Sequence, residues 1–325
     1  MKLIKIKYKD HKDFLEKRSG IDGIGASDLS AILGLNEYKS AIEVFYEKIG
    51  LREKKSFDNP AMYRGRLLEK VVIKDYWEFY DPENPDMDTI LGNVALGRRV
   101  RVAKDYKYIV INPKYPWLYC SPDFAFGKDG LIEVKTVIGY AHARWDAAVP
   151  PSYIMQLQQQ LLLTGKKHGE IAILKDATYF ESIPFEANKS LQEGIINKTK
   201  EFWDRVIQAR EIVASGVETR LIEKELALLE PAPDDSKAYE QFLKEKYNPE
   251  VQVTTIDGDE VSMKYVEMFL AAKDNIKQSE DVQTLAKNNL RKIMSDRDAG
   301  VIDFGKSGKV YYDTKGALQI KVKMV

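Results

Sequence analysis

Cysteine is nearly absent from this chain. Cys120 stands alone among 325 residues, which excludes an intramolecular disulfide and makes a cysteine-ligated zinc or iron–sulfur centre untenable within one chain. The three histidines, His11, His142 and His168, are scattered without metal-ligand spacing. No apolar run approaches the roughly 20 residues needed to cross a bilayer, and the opening Met1 to Tyr8 lacks the apolar core of a signal peptide, so no membrane contact and an intracellular location are expected. An excess of either charge is also missing. Lysine plus arginine and aspartate plus glutamate number 50 each, so no net field draws a polyanion, and such a contact has to come from a local patch. Arg98-Arg99-Val100-Arg101, with Lys104 and Lys107, is the candidate, read as a strand with one basic face. The length exceeds a typical domain of roughly 100 to 200 residues, so one large or two domains are expected.

What is present is a concentration of carboxylates and one lysine around residue 130. Ser121-Pro122-Asp123 is followed by Glu133-Val134-Lys135. In Leu131 to Lys135 strand alternation puts Glu133 and Lys135 on one face and Ile132 and Val134 on the other, facing the core. Gly127-Lys128-Asp129-Gly130 reads as the turn of a hairpin joining this strand to Leu118–Phe126. A regular register about that turn leaves Asp123 on the wrong face for Glu133, so a bulge or kink is predicted at Ser121-Pro122-Asp123, where proline interrupts the ladder. Two carboxylates suit a hard dication such as Mg²⁺, and an adjacent ammonium can orient water or stabilise a pentacovalent phosphorus, which is what phosphodiester hydrolysis requires. An exposed Glu/Lys pair on a strand is also an ordinary solvated face.

Neighbouring segments add weight. A helix opened by Ala61 to Glu69 carries Leu68, Val71, Val72, Tyr76 and Phe79 at helical spacing. Glu69 lies beside that stripe, either as a rim residue paired with Arg66 or Lys74 or as a carboxylate aimed into the site. A second helix runs from Pro151 to Leu163 and ends at Gly165, with Tyr153, Gln156, Gln160 and Leu163 on one face. Ser27 reads as the cap of a short helix from Asp28 to Leu33, and Ser40 with Glu43 as the capping box of a helix closed at Gly50.

Taken in order, Arg18, Ile24-Gly25-Ala26-Ser27-Asp28, Arg64-Gly65 with Glu69, Ser121-Pro122-Asp123, Glu133-Val134-Lys135 and Tyr153 with Gln156 and Gln158 resemble the phage lambda exonuclease family, the YqaJ-type viral recombinase nucleases of the PD-(D/E)XK superfamily. The resemblance runs from about residue 13 to about residue 210. It implies an α/β, restriction-endonuclease-like core with a central mixed sheet flanked by helices. By the same resemblance, Asp123, Glu133 and the Val134 carbonyl would ligate Mg²⁺, Lys135 would act on the water, Glu69 would orient or bind metal-bound water, and Gln156 would place the nucleophile or phosphate. Ser27 and Arg18 would hold a terminal 5′ phosphate. The implied activity is 5′-to-3′ degradation of linear duplex DNA, leaving 3′ tails for a single-strand annealing protein. The implied assembly is a ring-shaped homotrimer, in the cytoplasm of a bacterium carrying the phage or prophage. Whether Mn²⁺ serves as well as Mg²⁺ is left open.

The expected division is a nuclease domain over 1–215 and a mostly helical α+β extension over 216–325, with Pro231-Ala232-Pro233 as a break, a strand from Val251 to Ile256, a helix from Glu260 to Asp296 and a closing β-hairpin from Val301 to Val325. Tyr265, Phe269, Ala272 and Ile276 form one stripe of that helix. Two other readings fit the same residues: a structure- or sequence-selective endonuclease, which would cut closed circles, and a non-catalytic recombination or DNA-binding assembly protein, against which the intact Asp123, Glu133 and Lys135 argue.

Overall fold

The computed structural model describes residues 2–53, 60–139, 148–215, 219–246, 257–313 and 316–322. The chain divides into two compact units, Met1–Pro249 and Glu250–Val325.

The first unit is built on a five-stranded mixed sheet. Its strands are β3 (Ala103–Asp105), β6 (Phe124–Phe126), β7 (Gly130–Val137), β8 (His168–Lys175) and β9 (Tyr179–Glu186), side by side in that order. Strands β7 and β8 run parallel and the other pairs antiparallel. The parallel pair needs a crossover, and the helix Pro151–Thr164 supplies it. Alternation along β7 then settles which residues meet which layer. Leu131 and Val137 pack with Leu157 and Leu161 of the crossover helix, while Ile132 and Val134 pack with Val72, Ile73 and Trp77 on the opposite face. Burying each such aliphatic side chain contributes about 1.5–3 kcal/mol. The expected α/β core with a central mixed sheet flanked by helices is what the chain forms.

Trp77 and its neighbours belong to a helix that changes character. The α-helix Pro60–Val71 continues as a π-helical stretch over Val72–Trp77. One extra residue per turn rotates the apolar face, so Val71 is exposed where the helical spacing predicts it inside, and Ile73 and Trp77 are buried instead.

A second, four-stranded sheet has the order β1 (Ile4–Lys7), β4 (Tyr108–Ile111), β5 (Leu118–Cys120), β2 (Ile24–Gly25). Its core joins Ile24, Leu118 and Cys120 to Leu29 of α2 (Ala26–Ile32), Phe45 of α3 (Ala41–Lys48) and Phe202 and Val206 of a long helix, Lys189–Ala214. The capping box expected at Ser40 and Glu43 is formed. Ser27 is not a cap: Gly25 holds that position, and Ser27 is the second residue of α2.

The division between units falls later than the expected residue 215. Leu226, on the helix Thr219–Leu229, is buried in the same core as Phe202, and Tyr239 and Phe242, on the helix Lys237–Lys246, close over Ile42. Those buried side chains tie residues 219–246 to the first unit. The second unit holds the helix Glu260–Asp296, with the bounds the sequence predicts, and a three-stranded antiparallel sheet, β10 (Val301–Asp303), β11 (Gly308–Tyr312) and β12 (Leu318–Val322), where a two-stranded hairpin is expected. The strand expected at Val251–Ile256 lies outside the described residues. No described helix is long and apolar enough to cross a membrane.

Candidate active site

The strand leading into the site is broken, as expected, at Ser121-Pro122-Asp123. The break does more than kink a strand. Strand β5 ends at Cys120 in the four-stranded sheet and β6 begins at Phe124 in the five-stranded one, so the three residues carry the chain from sheet to sheet. The reason given for the break needs correction. Phe126 pairs with Gly130 and Phe124 with Ile132, so the turn is one residue shorter than Gly127–Gly130 suggests and the register moves by one. Continued backward, that register sets Asp123 opposite Glu133 on the same face, because a one-residue slip exchanges the faces of a strand. Gly130 makes the short turn feasible: a Cβ there would stand 2.5 Å from the Phe126 ring, which lies over it.

Asp123 and Glu133 are held by different means. Asp123 Oδ2 accepts the backbone N–H of Val134 at 2.9 Å, and its own carbonyl accepts the N–H of Tyr106 at 3.0 Å. Glu133 is buried, and its carboxylate is met by three side chains. Lys135 Nζ donates to Oε1 at 2.6 Å, Gln156 Nε2 donates to the same oxygen at 2.6 Å, and Gln160 Nε2 donates to Oε2 at 2.7 Å. Lys135 also donates to Gln156 Oε1 at 3.3 Å and lies 4.6 Å from the centre of the Tyr153 ring. Gln156 and Gln160 reach one carboxylate because they are one turn apart on the crossover helix, on the face that covers β7. The glutamines of that helix turn inward: Gln158, Gln159 and Gln160 are all buried.

Electrostatics show crowding of like charge. Burial, then the Glu133 carboxylate, pushes Glu69 from 4.5 up to about 7, against the pull of Lys135 and Arg66. Burial, then Glu133 and Glu69, raises Asp123 well above the usual carboxylate range. Burial would lower Lys135, but Glu133 and Asp123 outweigh it and hold the ammonium charged beyond its ordinary range. Glu69 is acted on from both sides, by Glu133 and Lys135 of the site and by Arg66 of its own helix, while Lys74, the other expected rim partner, pairs with Glu78.

Such a group of oxygens fits a hard dication. Among the described residues no three His, Cys, Asp or Glu side chains stand together as a metal cage. Mg²⁺ characteristically takes one or two carboxylates and keeps several waters, so Asp123 and Glu133 suffice as protein carboxylates, and a cation would relieve the repulsion that raises Asp123 and Glu69.

Arg18 and Ser27, expected together, are bonded: Arg18 Nη2 donates to Ser27 Oγ at 2.6 Å. Arg18 Nε also donates to the Tyr119 hydroxyl at 3.3 Å. Gly25 permits this arrangement, since a Cβ there would meet the Tyr119 ring at 2.9 Å. Gln159 Nε2 in turn donates to the Tyr119 carbonyl at 3.0 Å, so the crossover helix braces the strand that holds Arg18. One residue near the carboxylates, Tyr8, carries no signal in the sequence: it shares a hydrogen bond with Ser121 Oγ at 3.2 Å, a contact across 113 residues. Gln160 was legible only as a face-sharing neighbour of Gln156. In the basic run, Arg98–Arg101 is not a strand, and two of its arginines are engaged within the fold: Arg99 reaches buried Glu78 at 3.3 Å, and Arg101 lies 3.8 Å from the Trp77 ring while bonding Glu170 at 2.8 Å.

Asp123, Glu133 and Lys135 thus stand together on a mixed α/β sheet, the arrangement that the resemblance in sequence implies. Residues 13–167 match the family model of the YqaJ-like viral recombinase domain. The chain is 27% identical over 292 residues to the uncharacterized protein YqaJ of Bacillus subtilis (strain 168), covering 89% of this chain and 79% of that protein. Among solved structures it is similar to an alkaline exonuclease from Laribacter hongkongensis, with a TM-score of 0.46 and 19% identity over 65% of this chain and 97% of that one. A phage-related exonuclease from Haemophilus somnus 129PT is also similar, with a TM-score of 0.40 and 15% identity over 59% of this chain and 98% of that one.

Proposed function

We propose that this protein is a Mg²⁺-dependent exonuclease that shortens linear duplex DNA from the 5′ end, leaving 3′ single strands for an annealing partner in phage-type recombination. The observation that carries the reading is the convergence of Lys135 and Gln156 on one oxygen of buried Glu133, 2.6 Å from each, with Asp123 tied to the intervening residue Val134. The match to a viral recombinase domain supports the recombination setting.

Asp123, Glu133 and the Val134 carbonyl are the oxygens that would hold the ion. Bound there, Mg²⁺ supplies positive charge that acidifies water and neutralises the phosphate. The chain's own residues do the rest. Lys135, kept protonated by Glu133 and Asp123, orients the attacking water and meets the charge that grows on the phosphorus oxygens. Gln156 fixes the direction of the Lys135 ammonium and places the phosphate. Glu69 orients water at the edge of the carboxylate group. Arg18 and Ser27 hold the 5′-terminal phosphate, which makes an end, and not an internal position, the place of attack. A homotrimer encircling the duplex accompanies this reading, and a solution mass near three chains of 37.2 kDa is its check.

Digestion of linear duplex labelled at either end, beside a closed circle, tests the function. Release of 5′ label with Mg²⁺, none with EDTA and an intact circle are expected. Asp123→Ala and Glu133→Ala, each losing one metal oxygen, should abolish release while retaining the fold. A nicked circle would favour an endonuclease, and no cleavage of any substrate would favour an assembly protein.

A further inference from the structure

Three donors on Glu133 are not equivalent. Those on Oε1, from Lys135 and Gln156, come from partly exposed side chains, whereas the donor on Oε2, from Gln160, comes from one with no exposed surface. Oε1 therefore lies toward the open side of the site and Oε2 toward the interior. The backbone of Gln160 is secured as well, its carbonyl accepting the Thr164 hydroxyl at 2.7 Å. Its side-chain Oε1 is buried and has no hydrogen-bond partner among the described residues. A leucine at this position would carry no such unpaired acceptor, so stability alone gives a poor account of a glutamine there.

We infer that Gln160 is a positioning residue: it grips Glu133 Oε2 from within and thereby presents Oε1 to the ion and to Lys135. This rests on the metal-dependent nuclease reading and adds to it a residue that never touches substrate. With an ion held at Oε1, Lys135 and Gln156 would share that oxygen with it, and Gln160 on Oε2 would keep the carboxylate from rotating. Removing an outer partner of a metal-ligating carboxylate typically weakens metal binding about 10- to 100-fold.

Titration of the full-length protein with Mn²⁺ by calorimetry, in the absence of DNA, separates this role from catalysis. Gln160→Met keeps the length of the side chain without its donor and should bind Mn²⁺ at least about 10-fold more weakly, with a cooperative metal-free melting transition. Gln160→His places an N–H donor at similar reach and should recover most of that loss. Equal Mn²⁺ affinity in wild type and Gln160→Met would overturn the assignment and leave the nuclease reading standing, whereas no Mn²⁺ binding by wild type would overturn both. An unfolded Gln160→Met, or a Gln160→His as weak as Gln160→Met, would also count against it, since the residue would then serve the fold and not the carboxylate's orientation.

Discussion

Replacing Glu69 by glutamine in the metal-free protein measures how strongly burial and the neighbouring carboxylates disfavour its ionised form. Burial and the Glu133 carboxylate together lift Glu69 from 4.5 to about 7. A group whose folded value lies above its unfolded value favours the fold fully while the pH is below 4.5 and both states hold the proton. That contribution fades as the pH climbs through 7 and the buried carboxyl must ionise. A displacement of this size corresponds to at most about 3 kcal/mol, and partial exposure of Glu69 reduces the expected effect to about 1–2 kcal/mol. Asp123 is displaced in the same direction, so the wild type should lose stability over the same range by more than Glu69 alone accounts for. Denaturant unfolding in EDTA between pH 5 and pH 8.5 is the assay. Wild type should weaken as the pH rises, Glu69→Gln should weaken less, and the two curves should separate by about 1–2 kcal/mol across the window. Adding Mn²⁺ at pH 8 should restore the wild type more than the variant, because the ion neutralises the charge the variant no longer has. Parallel curves in EDTA would refute the crowding, and a wild type that gains stability toward pH 8 would reverse its sign.

Ser27→Ala should reduce the preference for 5′-phosphorylated over unphosphorylated ends without ending hydrolysis, read as the ratio of initial rates on the two substrates. Arg18→Ala should act in the same direction, since Arg18 Nη2 and Ser27 Oγ are 2.6 Å apart and on the proposed reading would serve one phosphate; equal losses on both substrates would remove the assignment. Gly130→Ala should destabilise the protein by about 1–3 kcal/mol through forced displacement of the Phe126 ring, which is wedged against Trp77 and His168 with ring centres 5.2 and 5.3 Å away. Adding Phe126→Leu should return part of that loss, and a melting temperature unchanged in Gly130→Ala alone would show that the ring does not hold the register.

What could be read in the chain and what could not divides by distance along it. The capping box at Ser40, the crossover helix ended near Gly165 and the long helix Glu260–Asp296 follow from local spacing and formed as expected, whereas Ser27 lies inside its helix instead of capping it. The pairing of Asp123 with Glu133 was reached for the wrong reason, because the length of a turn cannot be taken from its glycines. Whether Gly130 belongs to the turn or to the strand depends on a Phe126 ring lying across it, and that single residue decides which face Asp123 shares. The helix before it shows the same limit: an α-helical period predicts Val71 inside, and a π-helical stretch set by packing on the sheet puts Ile73 and Trp77 there instead. The basic run misled because charge in sequence says nothing of its partner. Glu78 and Glu170, which bind Arg99 and Arg101, come from a helix before the run and a strand far beyond it. Residues 219–246 lie beyond the stretch that carries the resemblance, which ends near residue 210, and yet Tyr239 and Phe242 pack onto Ile42 nearly 200 positions earlier, a contact no local signal announces. The glutamines are the instructive case for function. A helical face marked Gln156 and Gln160 as neighbours, yet only the parallel pairing of β7 with β8 brings the crossover helix over Glu133 and turns two polar residues of uncertain purpose into the two amides that grip opposite oxygens of one carboxylate.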